Sequence, residues 1–231
     1  MEQLFPNFYQ FRLGVVNSYF IDHGKLTLID TGVPGSTKTI LDGIAELGKS
    51  PGDVERILVT HFHADHTGSL IELKEATGAT TFMSKKEAEL LANGVAWKEK
   101  FVVGPGSANE EFAKMVLPFV EANPTQPAFQ IDEILTPGQV FQVGGGLEVI
   151  STAGHTVEHV SFLFNDHGGI FIAGDCCASI AGLNYSPLYE DFEEGAKSLR
   201  QVAERQFDVA VFGHGDGIMK DASQAFETVF S

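Results

Sequence analysis

The chain has 231 residues, with 31 acidic against 15 basic side chains and a formal net charge of −16. That length fills one large domain or two small ones, and an apolar content of 43% is enough for a sizeable core. The charge argues against nucleic acid as a partner, because phosphate recognition needs a basic patch. No stretch approaches the roughly 18 apolar residues of a membrane span, so no membrane partner is expected either.

The beginning, Met1 to Pro6, lacks a basic stretch followed by a long apolar one, so no signal peptide is expected and the expected compartment is cytoplasmic. The two cysteines, Cys176 and Cys177, are adjacent. Neighbours rarely bridge, because the ring is strained, and they read as reduced thiols packed as small apolar residues.

In chain order, residues 11–30 read as two strands around Asp22-His23-Gly24-Lys25. Ser36 reads as the N-cap of a helix whose Ile40, Leu41, Ile44 and Leu47 share a face and which stops at Gly48. A strand Ile57-Leu58-Val59 follows, then a helix from about Thr67 to Ala76 and a strand from Thr80 to Met83. Residues 84–130 form a helical insert with stretches at Lys85–Ala92 and Glu110–Val116. It carries Trp97, Phe101, Phe112, Phe119 and Phe129, and folds either as a substrate-facing lid or as a cap with its own small core. Strands resume after 130, with a hairpin turn at Asn165–Gly169. Ser186 to Phe207 reads as mostly helix, and a last strand and a short helix close the chain.

Chemistry concentrates in Thr60-His61-Phe62-His63-Ala64-Asp65-His66, directly after an apolar strand. In extended chain, residues i and i+2 face the same way, so His61 and His63 can share one ion. A turn into a helix then swings Asp65 and His66 toward a second. Imidazole and carboxylate suit zinc and its first-row neighbours rather than calcium or magnesium. Four further apolar runs end near a residue of the same type: Asp30, His155, Asp175 and His214. Ligands in loops past strand ends can converge at one edge of a sheet.

The spacing His61-x-His63-x-Asp65-His66 resembles the signature of the metallo-β-lactamase superfamily. Asp30 in Leu28-Ile29-Asp30-Thr31-Gly32, His155 in Thr152-Ala153-Gly154-His155-Thr156, Asp175 in Ala173-Gly174-Asp175 and His214 in Phe212-Gly213-His214-Gly215 are similar to its other motifs, in order, with Ala153 where proline is usual. The resemblance covers nearly the whole chain. It implies an α/β fold, a four-layer αββα sandwich, in a single metallo-hydrolase domain spanning residues 1–231.

It also implies two zinc ions per subunit, with iron or manganese as alternatives. One is held by His61, His63 and His155, the other by Asp65, His66 and His214, with Asp175 bridging both. A bridging hydroxide would attack a small-molecule ester, lactone or thioester, and Asp65 would be the catalytic residue that handles a proton. Asp30 would support an imidazole or the 65–66 loop, or else serve only to form the turn before Thr31-Gly32. His159 reads as a buried supporting or packing histidine rather than a ligand, and Tyr185 and Tyr189 either line the cleft and donate to substrate or pack in the core or at the surface.

Within the family, a true β-lactamase usually lacks the bridging aspartate. Glyoxalase II carries an extra helical domain after the last motif, where this chain soon ends. Acyl-homoserine lactonases have a tyrosine where Ala178 stands. A flavodiiron protein needs glutamate at His63. The alternatives that remain are a phosphodiesterase or nuclease of the same fold and an iron-dependent dioxygenase using a single ion.

Overall fold

The computed structural model describes residues 1–98 and 100–231; Glu99, inside the expected insert, lies outside them. The chain divides into two compact units, Met1–Ala96 with Thr125–Leu135, and Trp97–Pro124 with Thr136–Ser231.

The first unit is built on a seven-stranded sheet in the order Glu2–Phe5, Phe8–Leu13, Val16–His23, Lys25–Ile29, Val54–Leu58, Thr80–Met83 and Glu133–Ile134. The first four pair antiparallel, and from Lys25–Ile29 onward the pairing is parallel. Runs such as Leu26-Thr27-Leu28-Ile29 are buried at every position, as expected where both faces of a strand are covered. The helix Thr37–Glu46 buries Ile40, Gly43 and Ile44. Ile40 and Ile44 form one core cluster together with Leu28, Ile57, Phe62, Leu70 and Leu73.

Ser36 stands at the N-cap position as expected, but its side chain makes no capping bond; its backbone N–H donates instead to Ser69 Oγ at 2.9 Å. The single helix expected from Thr67 to Ala76 is two, Ala64–Thr67 and Leu70–Thr77. The break falls at Gly68, where a Cβ would lie 2.3 Å from the Pro34 nitrogen, so the loop after Asp30 and the turn after His66 touch only because Gly68 has no side chain.

The second unit holds a five-stranded sheet in the order Val209–Val211, Ile170–Ile172, Val160–Phe164, Leu147–Ser151 and Val140–Phe141. The pair Ile170–Ile172 and Val209–Val211 is parallel and the rest are antiparallel. The expected hairpin turn joins Val160–Phe164 to Ile170–Ile172, with His167 at φ 53°. Helices Phe192–Ala203 and Ala222–Phe230 pack on this unit's core, where Phe226 stacks against or meets the edges of Phe171, Phe207, Phe212 and Phe230.

The segment expected to be helical from Ser186 begins differently. Leu188–Tyr189 is a strand paired with Val102–Val103, and the helix starts only after Asp191, whose carboxylate accepts from the Glu194 N–H at 3.0 Å. Pro187 removes an N–H, and the Asp191 cap defines the later start.

Within residues 84–130, the helices are Lys85–Ala92 and Ser107–Ala122, the latter running on through Pro118. Among the described residues, no helix is long and apolar enough to cross a membrane.

Candidate metal centre

In each unit, ligand-type residues leave neighbouring parallel strands at the same end. In the first unit Ile29 pairs with Leu58, so Asp30 and the loop from Thr60 to His66 begin side by side. In the second, Ile172 pairs with Val211, which puts the loops to Asp175 and His214 side by side. The backbone confirms the adjacency: Asp30 N–H donates to Leu58 O, and Gly213 N–H donates to Gly174 O. Leu147–Ser151 runs in the same direction as Ile170–Ile172, two strands away, so the loop to His155 leaves at that edge too. Gly154 makes this loop possible: a Cβ there would lie 2.2 Å from Gly195 Cα.

Six of the seven expected ligands are buried, and the Asp65 side chain is 19% exposed. In the first unit, Asp30 organises the cluster. Its carboxylate accepts from Thr60 N–H at 2.8 Å, from Thr60 Oγ1 at 2.9 Å, and lies 2.9 Å from His66 Nδ1. A carboxylate only accepts, so His66 carries its proton on Nδ1 and its lone pair on Nε2. Thr60 has one hydroxyl proton and gives it to Asp30, so His61 Nδ1, 2.9 Å from Thr60 Oγ1, must be the donor there. His61 therefore also presents a lone pair at Nε2. That atom lies 3.1 Å from His63 Nδ1. His66 Nε2 is 3.8 Å from an Asp65 oxygen.

The second unit repeats the logic. His155 Nδ1 is 2.7 Å from the Leu188 carbonyl, which can only accept, so Nε2 again keeps the lone pair. It faces Asp175 Oδ2 at 3.6 Å, and His214 Nε2 is 3.1 Å from the same oxygen. The Asp175 N–H donates to His159 Nε2 at 3.0 Å, which leaves the His159 proton on Nδ1, against Thr152 Oγ1 at 2.8 Å. His159 thus holds the backbone of Asp175.

These spacings fit a transition metal. Two nitrogens bound to one tetrahedral zinc at about 2.0–2.1 Å stand roughly 3.3 Å apart. The pairs at 3.1 and 3.6 Å bracket that edge length. In each unit, an imidazole nitrogen facing a carboxylate makes a donor set suited to zinc or its neighbours.

Around this cluster, Tyr189 is fully buried, and its hydroxyl donates to the Cys176 carbonyl at 2.7 Å. Burial holds its phenol well above the usual range. Tyr185 packs on Phe192 and Phe230. Cys176 and Cys177 are free and buried. Burial pushes the Cys177 thiol well above its ordinary value, and both cysteines pack in the second unit's core.

Of the insert's aromatics, Phe112 reaches an expected ligand, its ring centroid 5.6 Å from that of His214. Trp97 and Phe101 line a cavity of about 770 Å³ with Leu117, Val120 and the ion pair of Lys98 and Glu190. Phe119 is 62% exposed, and Phe129 packs against the first unit's core.

The sequence pattern of the metallo-beta-lactamase superfamily matches residues 11–214. The chain is 30% identical over 196 residues to metallo-beta-lactamase domain-containing protein 1 of Xenopus laevis, covering 83% of this chain and 67% of that one. It is 28% identical over 206 residues to the thioesterase pkgB of Emericella nidulans, covering 88% of this chain but only 46% of that protein. In structure it resembles a beta-lactamase from Chitinophaga pinensis, with a TM-score of 0.72 at 23% identity over 99% of this chain and 89% of that one, a likeness that speaks for the fold alone. With the pattern spanning most of the chain, this protein belongs to the metallo-β-lactamase superfamily.

Proposed function

We propose that the chain is a metal-dependent hydrolase that holds two first-row ions, zinc foremost, and cleaves a small ester, lactone or thioester. His61, His63 and His155 would bind one ion and Asp65, His66 and His214 the other, with Asp175 shared. The observation that carries this is the fixed tautomer of three buried histidines, each with Nδ1 engaged by an acceptor and Nε2 left to a ligand.

Ions held there would supply Lewis acidity and hydroxide at neutral pH. The chain's residues do the rest. Asp30 and the Leu188 carbonyl orient imidazoles, as outer partners of metal ligands commonly do. The closeness of Asp175 Oδ2 to both His155 Nε2 and His214 Nε2 supports reading it as the carboxylate shared by the two ions. Asp65, the most exposed of the carboxylates, can take up and return a proton at the scissile bond. The thioesterase named among the relatives favours including thioesters in the substrate class.

The test is elemental analysis of metal-reconstituted protein together with a panel of ester, lactone, thioester and phosphodiester substrates. About two ions per chain and turnover of an acyl substrate are expected, and Asp175→Ala should weaken metal retention and abolish most turnover. One ion or fewer defeats the dinuclear reading. Phosphodiester cleavage alone would place the protein among nucleases. Oxygen consumption by the iron form would place it among dioxygenases.

A further inference from the structure

Two side chains far from the ligand motif in sequence hold the backbone between His61 and His63. The Phe62 N–H donates to Glu87 Oε2 at 3.1 Å. The Phe62 carbonyl accepts from Gln126 Nε2 at 2.7 Å, and the same amide donates to the Val95 carbonyl at 2.8 Å. Gln126 Oε1 in turn accepts from Thr67 Oγ1 at 2.8 Å. Gln126 therefore spans the motif from Phe62 to the last residue of the short helix Ala64–Thr67. Glu87 and the Phe62 side chain are both fully buried.

The geometry of a peptide gives these bonds a specific consequence. Each peptide group is planar, so holding its N–H or its C=O holds the whole plane. The Phe62 N–H lies in the plane that joins it to His61, and the Phe62 carbonyl in the plane that joins it to His63. Only the φ and ψ of Phe62 separate the two planes. Glu87 fixes one plane and Gln126 the other, so together they set both torsions. Those torsions, together with the ψ of His61, the φ of His63 and the side-chain torsions of the two rings, set the 3.1 Å separation of their ring nitrogens.

We propose that Glu87 and Gln126 are positioning residues that set the bite of the His61–His63 pair for its metal ion. The inference rests on the metal reading above. It gives the outer parts of the segment 84–130 a role in ligand geometry: Glu87 and Gln126 both belong to the first unit, whereas Trp97–Pro124 belongs to the second.

Full-length protein carrying Gln126→Leu, Gln126→Glu, Glu87→Leu or Glu87→Gln is titrated with zinc against a chelator, and its cobalt form is read by visible absorption. Gln126→Glu keeps the acceptor for Thr67 but loses both donors, and it carries the test if Gln126→Leu does not fold. Glu87→Gln keeps an acceptor for the Phe62 N–H and is the rescue variant. Ile44→Ala, a truncation in the same unit's core, controls for lost stability alone.

Zinc affinity at one of two sites should fall about 10–100-fold in both Gln126 variants and in Glu87→Leu. Their cobalt spectra should shift, while Glu87→Gln and Ile44→Ala stay within about twofold of wild type. Wild-type affinity and spectrum in the Gln126 variants would overturn the inference while leaving the metal reading intact. So would an equal loss in Ile44→Ala. A wild-type chain that takes up no zinc would defeat the metal reading itself, and the inference with it.

Discussion

Asp30→Asn changes one atom and one charge and should nonetheless cost the protein a metal ligand. Asp30 has φ 58°, a left-handed conformation that asparagine tolerates, so the backbone stays in place. The amide must put its NH₂ somewhere. Facing His66 Nδ1, it turns an acceptor into a donor, and His66 relieves the clash by moving its proton to Nε2, where the ion should bind. Facing Thr60, the NH₂ meets the Thr60 N–H that the carboxylate now accepts at 2.8 Å. Either way one charge-assisted hydrogen bond is lost when His66 is in its ligating tautomer, and such a bond is worth about 1.5–3 kcal/mol. That corresponds to a loss of about 10–100-fold in metal affinity.

Two assays separate tautomer from fold. Chelator competition gives the affinity, and nitrogen-15 spectra of the metal-free protein assign the protonated ring nitrogen of His66. Wild type should carry the proton on Nδ1 and Asp30→Asn should carry more of it on Nε2, with little change in Tm. Unchanged affinity in a folded Asp30→Asn protein, or a wild-type His66 protonated on Nε2, would refute the reasoning.

Three further expectations follow from packing and charge. Phe226→Ala empties a fully buried ring position among four other phenylalanines and should destabilise by about 3–5 kcal/mol in chemical denaturation; a loss under about 1 kcal/mol would mean the site collapses onto itself. The Ser50 amide and hydroxyl, with Lys25, hold the Asp53 carboxyl well below the usual range. A depressed carboxylate contributes stability above its unfolded value of 3.8 and loses it as pH falls through the folded one, so the Tm gap between wild type and Asp53→Ala should be constant near neutrality and close in acid; a gap that widens in acid would contradict this. Finally, with a net charge of −16, the chain should show no salt-sensitive, sub-micromolar binding of tRNA or duplex DNA in a filter assay at physiological salt.

The clustering of histidines and carboxylates at the strand ends was legible because several costly polar groups stand at short spacing beside apolar strands. His61, His63 and His66 announce themselves in this way, and the parallel strands leading to Asp30, Asp175 and His214 show as apolar runs. Glu87 and Gln126 did not. They act through single hydrogen bonds to backbone groups 25 and 64 residues away in sequence, and local sequence carries no mark of such partners. The strand Glu2–Phe5 was missed because it is a partly exposed edge strand without clear alternation, and the stretch 11–30 holds the end of Phe8–Leu13 as well as Val16–His23 and Lys25–Ile29, where two strands were expected. The strand Leu188–Tyr189, whose carbonyl fixes the His155 tautomer, is too short for periodicity to reveal; only Pro187 hinted that no helix starts there. The helix expected over Glu110–Val116 is longer, Ser107–Ala122, running on through Pro118 with Ala113 and Val120 buried on one face.

Phe62 stands between the two proposed ligands His61 and His63 and has its ring in the first unit's core cluster, fully out of water. A loop held this way has no easy partial opening, because releasing His61 and His63 means withdrawing an aromatic ring from the interior. Local fluctuations that expose a segment usually come from regions with few buried apolar contacts, and this one is anchored among many. Loss of metal on warming should therefore coincide with melting of the surrounding sheet rather than precede it. Amide exchange at Phe62 and His63 should be as slow as at Leu58 in the strand before them.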